Sequence, residues 1–179
     1  MIEFIVGDIF EICHVDAIVN PTDVYLSGSG GIDKKIHNLA GKSLDVECKK
    51  AGNCPVGQTV LTNGGNLFAK YVIHTAVPKW EENSADAEYL LAACYVNSLN
   101  TARENNIKSI VFPAMGTGSN SFPSERAAEI AISVIWQWCI SRLKDCCYND
   151  RPHIKIVITS EFKMQIYRKF LFLNVIKTL

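Results

Sequence analysis

Residues 27–37 read Ser27-Gly-Ser-Gly-Gly-Ile-Asp-Lys-Lys-Ile-His37, a glycine-rich turn running straight into a helical pattern. The short β-branched run Ala17-Ile-Val-Asn20 before it reads as a strand. Glycines allow backbone amides to approach a ligand closely, and a helix N-terminus behind them adds about half a positive charge. The same arrangement recurs at 110–124: a strand Ile110–Ala114, the turn Gly116-Thr-Gly-Ser-Asn-Ser121, then Pro123 and Ser124 opening a long helix. Two such cradles side by side suit a diphosphate. Neither is a Walker motif, since no Gly-Lys-Ser/Thr follows, and neither is a clean Gly-x-Gly-x-x-Gly. From these residues alone, plain tight turns explain the glycines equally well.

Outward from these turns, Ile2–Val6, Thr59–Thr62, Tyr71–Ala76 and Ile154–Thr159 read as further strands. Helical patterns cover about 33–50 with a break at Gly41, 86–104, 124 to about 144, and 161–171. Asn63-Gly-Gly-Asn66 is a turn signal. The order β-β-α-β-β-α-β-α-β-α predicts an α/β layer fold, and its two hairpin-like steps predict a mixed sheet. Ligands of such sheets sit beyond the carboxyl ends of the strands, where both glycine turns fall.

With 179 residues, one domain spanning 1–179 is expected. Lys+Arg and Asp+Glu are 18 each, so the formal charge is zero. That argues against a broad basic face for nucleic acid, and a neutral chain holding an anion must rely on main-chain amides. Glu3 and Asp8 interrupt the apolar start, which does not read as a signal peptide, and no stretch approaches the roughly 20 apolar residues of a membrane span. The seven cysteines form no Cys-x-x-Cys pair, so reduced thiols in a cytoplasmic or nuclear compartment are expected, and no metal and no other cofactor.

Asp33 and His37 lie four apart, on one helix face. Asp33 in the first turn could hold a sugar hydroxyl or orient a water, or simply complement the helix dipole. His37 more commonly packs or forms one hydrogen bond. Asp8 ends the first strand, where a carboxylate could accept from an exocyclic amine or merely shape a turn. Asn20 and Asp23 could bind sugar hydroxyls or form the turn themselves. His74 reads as a hydrogen-bonded core residue. Trp136 and Trp138, two apart on a helix, cannot share a face, so one is expected inside. No Gly-x-Ser-x-Gly elbow supports a serine hydrolase.

Taken in order, Val6-Gly-Asp-Ile9, Asp16-Ala-Ile-Val-Asn20, Gly28-Ser-Gly-Gly-Ile-Asp33 with Ile36-His37, Cys54-Pro-Val-Gly-Gln-Thr59, Ala69-Lys-Tyr-Val-Ile-His-Thr75 and Phe112-Pro-Ala-Met-Gly-Thr-Gly118 with Phe122-Pro123 resemble the macrodomain family, the ADP-ribose-binding module, along nearly the whole chain. The Gly-Ile-Asp-x-x-Ile-His version is most similar to the MacroD-type branch. The resemblance implies a three-layer fold, a mixed central sheet with helices on both faces. It implies ADP-ribose and ADP-ribosylated proteins as partners, with release of mono-ADP-ribose from Asp or Glu side chains and deacetylation of O-acetyl-ADP-ribose as activities. It implies that Asp8 and the Ile9 amide hold adenine, that Asn20 and Asp33 line the distal ribose, and that Gly30, Gly31 and Ile32 cradle one phosphate. Met115, Gly116, Thr117, Gly118, Ser119 and Asn120 would wrap the other, with Phe122 beside the distal ribose. Asp33, His37 and Asp23 would be the catalytic set. Three positions depart from the family pattern. The usual Asn-Ala-Ala-Asn is Asn20-Pro-Thr-Asp23 here, and Asp23 cannot donate an amide N–H. No aromatic precedes the end of the second turn, where Asn120 and Ser121 stand. The aromatic expected after the last strand is Thr159, with Phe162 three residues on. A reader that binds without cleaving is the competing expectation.

Overall fold

The computed structural model describes residues 2–80, 85–141 and 152–178. In chain order these form β1 (Ile2–Val6), a 3-10 turn (Ile9–Glu11), β2 (Ala17–Thr22), α1 (Gly31–Ala40), α2 (Lys42–Ala51), β3 (Thr59–Asn63), β4 (Tyr71–Ala76), α3 (Ala85–Glu104), β5 (Ser109–Pro113), α4 (Ser124–Ser141), β6 (His153–Ile158) and α5 (Glu161–Thr178). The strands make one six-stranded sheet in the order β1-β6-β5-β2-β4-β3. Every pair is parallel except β3 with β4.

Successive strand residues face opposite sides of a sheet, and the continuous apolar runs place apolar groups on both. In β5, Ile110 and Phe112 join the core under α3, α4 and α5, packing with Leu91, Leu99, Ile132, Ile135 and Met164. Val111 between them joins the core under α1 and α2, with Ile36, Leu44 and Val72. The result is three layers, helices on both faces of a mixed sheet. Trp138 is buried and donates from Nε1 to Asn100 Oδ1 at 2.9 Å, whereas Trp136 lies toward the surface and donates to Thr178 Oγ1.

Of the two hairpin-like steps, only β3–β4 is a hairpin. β1 pairs with β6, in the register Ile2↔Ile154 to Val6↔Ile158, and lies at the sheet edge three places from β2. The link to β2 is a crossover anchored by Ile9 and Val15, both buried in the core under α1. The helical pattern of 33–50 is two helices meeting at Gly41. The expected extension of α4 to about 144, and Cys146-Cys147, lie outside the described residues.

One irregularity positions the site. β2 is in register with β4 along all six residues, through Pro21↔Thr75 to Thr22↔Ala76. It pairs with β5 only at Ala17↔Ile110 and Ile18↔Val111. Beyond Ile18 the two strands part, and Pro21, which lacks an N–H, stands where no ladder bond to β5 is needed. The sheet is therefore split at its carboxyl edge between the two glycine turns.

Candidate functional site

A cleft of about 440 Å³ opens at that split. One wall is the turn before α1, contributing Ser29, Gly30, Gly31, Ile32 and Asp33, and the other is the turn after β5, contributing Met115, Gly116, Gly118, Ser119 and Asn120. Pro21, Thr22 and Asp23 form the floor, and Val77 and Lys79 after β4 close one end.

Both walls present amides. The first N–H groups of an α-helix have no partner within the helix, which leaves those of Gly31, Ile32 and Asp33 at the start of α1. In the second turn the inward bonds use carbonyls: Ser121 N donates to Gly118 O at 3.0 Å and Phe122 N to Gly116 O at 2.9 Å. Among the described residues, the amides of Gly116 to Asn120 donate to no protein group. The turn holds its shape through Gly116, whose φ is +85, and through Phe122, buried against Trp80 with ring centroids 5.0 Å apart. Thr117 Oγ1 donates to Ala114 O at 3.2 Å, bracing the turn from within. Asn120 ties the second wall to the cleft end: its Nδ2 donates to Val77 O and Pro78 O, each at 2.8 Å, and its carbonyl accepts from Trp80 N.

Beneath the first wall lies a buried polar chain. Asp33, 3% exposed, accepts at Oδ1 from Asn20 Nδ2 (2.7 Å) and at Oδ2 from Thr22 Oγ1 (3.0 Å) and Ser29 N (3.2 Å). Asn20, fully buried, also donates to His74 Nδ1 at 3.0 Å, so both its amide hydrogens are used and its Oδ1 has no partner. With Nδ1 accepting, neutral His74 carries its proton on Nε2, 2.9 Å from Thr62 Oγ1. Asn20 thus sits under the cleft, holding Asp33, rather than lining it. His37 lies alongside, Nε2 3.5 Å from Asp33 Oδ1 and Nδ1 2.7 Å from Asp45 Oδ1. The first turn wraps directly onto its ring: at Gly28, φ +67, any Cβ would fall 2.9 Å from His37 Cγ.

His37, Cys48 and His74 bring one donor atom each within 4.8 Å of one another. Both His74 nitrogens already have partners, and burial, followed by the charges of Asp33, Asp45 and Glu47, pushes the Cys48 thiol up to about 11. His37 Nε2, by contrast, is buried with no hydrogen-bond partner among the described residues. Burial, then the neighbouring His37, pulls His74 down to about 3. A folded pKa below the unfolded 6.5 means the unfolded chain binds this proton more readily, so stability present above pH 6.5 is lost as pH falls toward 3. From this group alone the protein loses about 2 kcal/mol between about pH 7 and pH 5. Thermal melts across that range should show it, and the His74→Gln variant should have a flatter acid limb. A wild-type melting temperature unchanged to pH 5 would contradict the assignment.

Asp23 builds the turn. Its Oδ1 accepts from Tyr25 N (2.8 Å) and Ser27 N (3.2 Å), and its Oδ2 from the Ser27 hydroxyl. Burial raises its pKa, but bonds from Ser27, Ser29 and the two amides outweigh that and hold the carboxyl below its usual range. Asp8 caps the 3-10 turn through Phe10 N (3.0 Å) and pairs with Lys35 Nζ at 2.7 Å, the latter contact chiefly lowering its pKa. Asp8 and Ile9 border a second cavity of about 400 Å³, between the 3-10 turn and α1. Phe162 stands 78% exposed in the first turn of α5. Thr22, Ser29 and Lys79 are cleft residues that the motif reading passed over. The strand-end rule, applied to β4 as it was to β2 and β5, would have pointed to Lys79.

The macro domain family model matches residues 19–131. A macro domain-containing protein of Caldanaerobacter subterraneus is 41% identical over 160 residues, covering 85% of this chain and 91% of that protein. A Klebsiella pneumoniae protein described as an O-acetyl-ADP-ribose deacetylase is 40% identical over 173 residues, 94% of this chain and 95% of its own. The Oceanobacillus iheyensis macrodomain solved with ADP superposes with a TM-score of 0.86 at 33% identity, covering 99% of this chain and 93% of that one. The matched segment contains the sheet split, both amide walls and the buried chain under Asp33, and on these grounds the chain belongs to the macro domain family.

Proposed function

We propose that the cleft binds ADP-ribose and that the protein releases it from glutamate or aspartate side chains, with the acetyl ester of ADP-ribose as a related substrate. The observation that carries this reading is the pair of amide walls facing one cleft, in a chain with no net charge to offer a diphosphate. Gly30, Gly31 and Ile32 would take one phosphate and Gly116 to Asn120 the other. Asp8 and the exposed Phe162 would meet the base, and Asp33 the distal ribose. The Klebsiella relative and the ADP-bound Oceanobacillus structure support the same ligand class.

The bond to break joins the anomeric carbon of the distal ribose to a carboxylate oxygen. Water adds at that carbon, the carbon–oxygen bond breaks, and the carboxylate leaves with one proton passing to solvent. A carboxylate is a competent leaving group, so orientation and fixed dipoles supply most of what the reaction needs. A carboxylate has about four acceptor positions, and three on Asp33 are taken by Asn20, Thr22 and Ser29. The fourth remains to hold a ribose hydroxyl or the attacking water. His37 and Asp45 buttress this carboxylate from behind.

The reader without turnover is favoured by one observation: Asp23, in the place of the family's second asparagine, has both oxygens engaged within its own turn. Incubation with a protein automodified on glutamate separates the two. Release of labelled ADP-ribose over minutes supports the hydrolase. Tight binding of ADP-ribose with no release leaves the reader, and absence of binding removes both.

A further inference from the structure

The strand order gives the cleft a direction. Asp8 follows β1 at one edge of the sheet, the amide walls follow β5 and β2, and Lys79 follows β4 on the far side. Four strand spacings separate β1 from β4, roughly 19 Å. A ligand with its base at Asp8 and its phosphates at the two turns therefore directs its distal ribose, and whatever is attached to it, toward Lys79.

Lys79 is the one cation among the described residues lining the cleft, and it has no ion-pair partner among them. The other lysine near the ligand path, Lys35, is engaged by Asp8 at 2.7 Å. The Lys79 backbone is fixed although its side chain is exposed: Asn120 bonds the carbonyls of Val77 and Pro78 before it, and Trp80 after it donates to Asn120 O and packs on Phe122. The strap carrying Lys79 is thus fastened to the phosphate-facing turn, which fixes the base of a long cation at the mouth of the cleft. The phosphates need no cation here, because amides on both walls already face them. What lacks a partner at this end is the acidic side of the substrate. That is the carboxylate that becomes fully charged as the anomeric carbon–oxygen bond breaks, together with any acidic residues beside it.

We propose that the Lys79 ammonium receives this acidic side, favouring carboxylate-linked ADP-ribose in an acidic sequence context. The proposal rests on ADP-ribose occupying the cleft as argued above. Three measurements on Lys79→Gln and Lys79→Arg test it: affinity for free ADP-ribose, release rate from glutamate-linked substrate, and affinity for peptides bearing an uncleavable ADP-ribose flanked by glutamates or by glutamines. The expected result is unchanged affinity for free ADP-ribose within about twofold and release slowed about tenfold in Lys79→Gln, with most of the rate restored in Lys79→Arg. Wild type should prefer the glutamate-flanked peptide several-fold, and Lys79→Gln should lose that preference. If wild type binds but does not cleave, the hydrolase reading fails while the peptide comparison still decides the role of Lys79. Equal weakening of free ADP-ribose and modified peptide would make Lys79 a phosphate contact and overturn the proposal, as would no change in either release or preference.

Discussion

Asp33→Asn slows release of ADP-ribose from glutamate by at least about 100-fold while ADP-ribose affinity falls by less than about tenfold. The asymmetry follows from what surrounds the carboxylate. Asn20, Thr22 and Ser29 all donate to it. An amide has one oxygen to accept with, and its NH2 would face either the Asn20 amide or the Thr22 and Ser29 donors. Either way at least one buried donor loses its partner, at a cost of about 1–3 kcal/mol. With the NH2 in the Oδ1 place, which leaves only Asn20 without its acceptor, the remaining acceptor position, the one proposed to hold the water or the ribose hydroxyl, is lost as well. The amide walls stay, so binding survives in large part. Kinetics and calorimetry on the same preparation, with a thermal melt to register the stability loss, check the result. Wild-type turnover in Asp33→Asn would remove Asp33 from the reaction.

Gly116→Val weakens ADP-ribose binding by about 10- to 100-fold. A side chain at φ +85 is strained whatever its surroundings, by about 1–2 kcal/mol. Here its Cβ would also lie 3.1 Å from Phe122 Cδ2 and 3.2 Å from Cγ. Phe122 is only 4% exposed and is backed by Trp80, so it has little room to retreat. The turn moves instead, and the amides of Gly116 to Asn120 lose their common aim. The Asn120 bonds to Val77 and Pro78 pass the shift to the Lys79 strap. Isothermal titration measures the loss, and affinity equal to wild type would mean that this turn does not grip the ligand.

Much of this was legible in the residues. The two glycine turns announce themselves because each follows a β-branched run and precedes a helical period, and the structure brings both to one cleft. The continuous apolar strands alternating with helices foretold an α/β layer fold, and the family resemblance implied helices on both faces. What local pattern could not supply was partnership across the sheet. Nothing in residues 7–16 says that β1 skips β2 and pairs with β6. Pro21 reads as the end of a strand, yet β2 continues through it because the neighbour it would have failed to bond, β5, has already turned away. The same blindness applies within the site. Asn20 and Asp33 look alike as polar residues beside a turn, but burial makes Asn20 a support and leaves Asp33 at the cleft. Asp23 reads equally as a sugar ligand or a turn former, and the Tyr25 amide with the Ser27 amide and hydroxyl on its oxygens make it the turn former. Lys79 carries no motif; its place just past the end of β4 is the one local signal, and the order of the strands sets it at the cleft.

On the proposed function, main-chain amides, not cationic side chains, hold the diphosphate. Fixed amide dipoles at short range are screened little by salt, whereas a grip built on lysine and arginine weakens steeply. Titration of the wild-type protein with ADP-ribose at about 50 mM and about 500 mM salt tests this directly. Saturable one-to-one binding whose affinity changes by less than about threefold is the predicted result. No binding, or an affinity that collapses as salt rises, would contradict it.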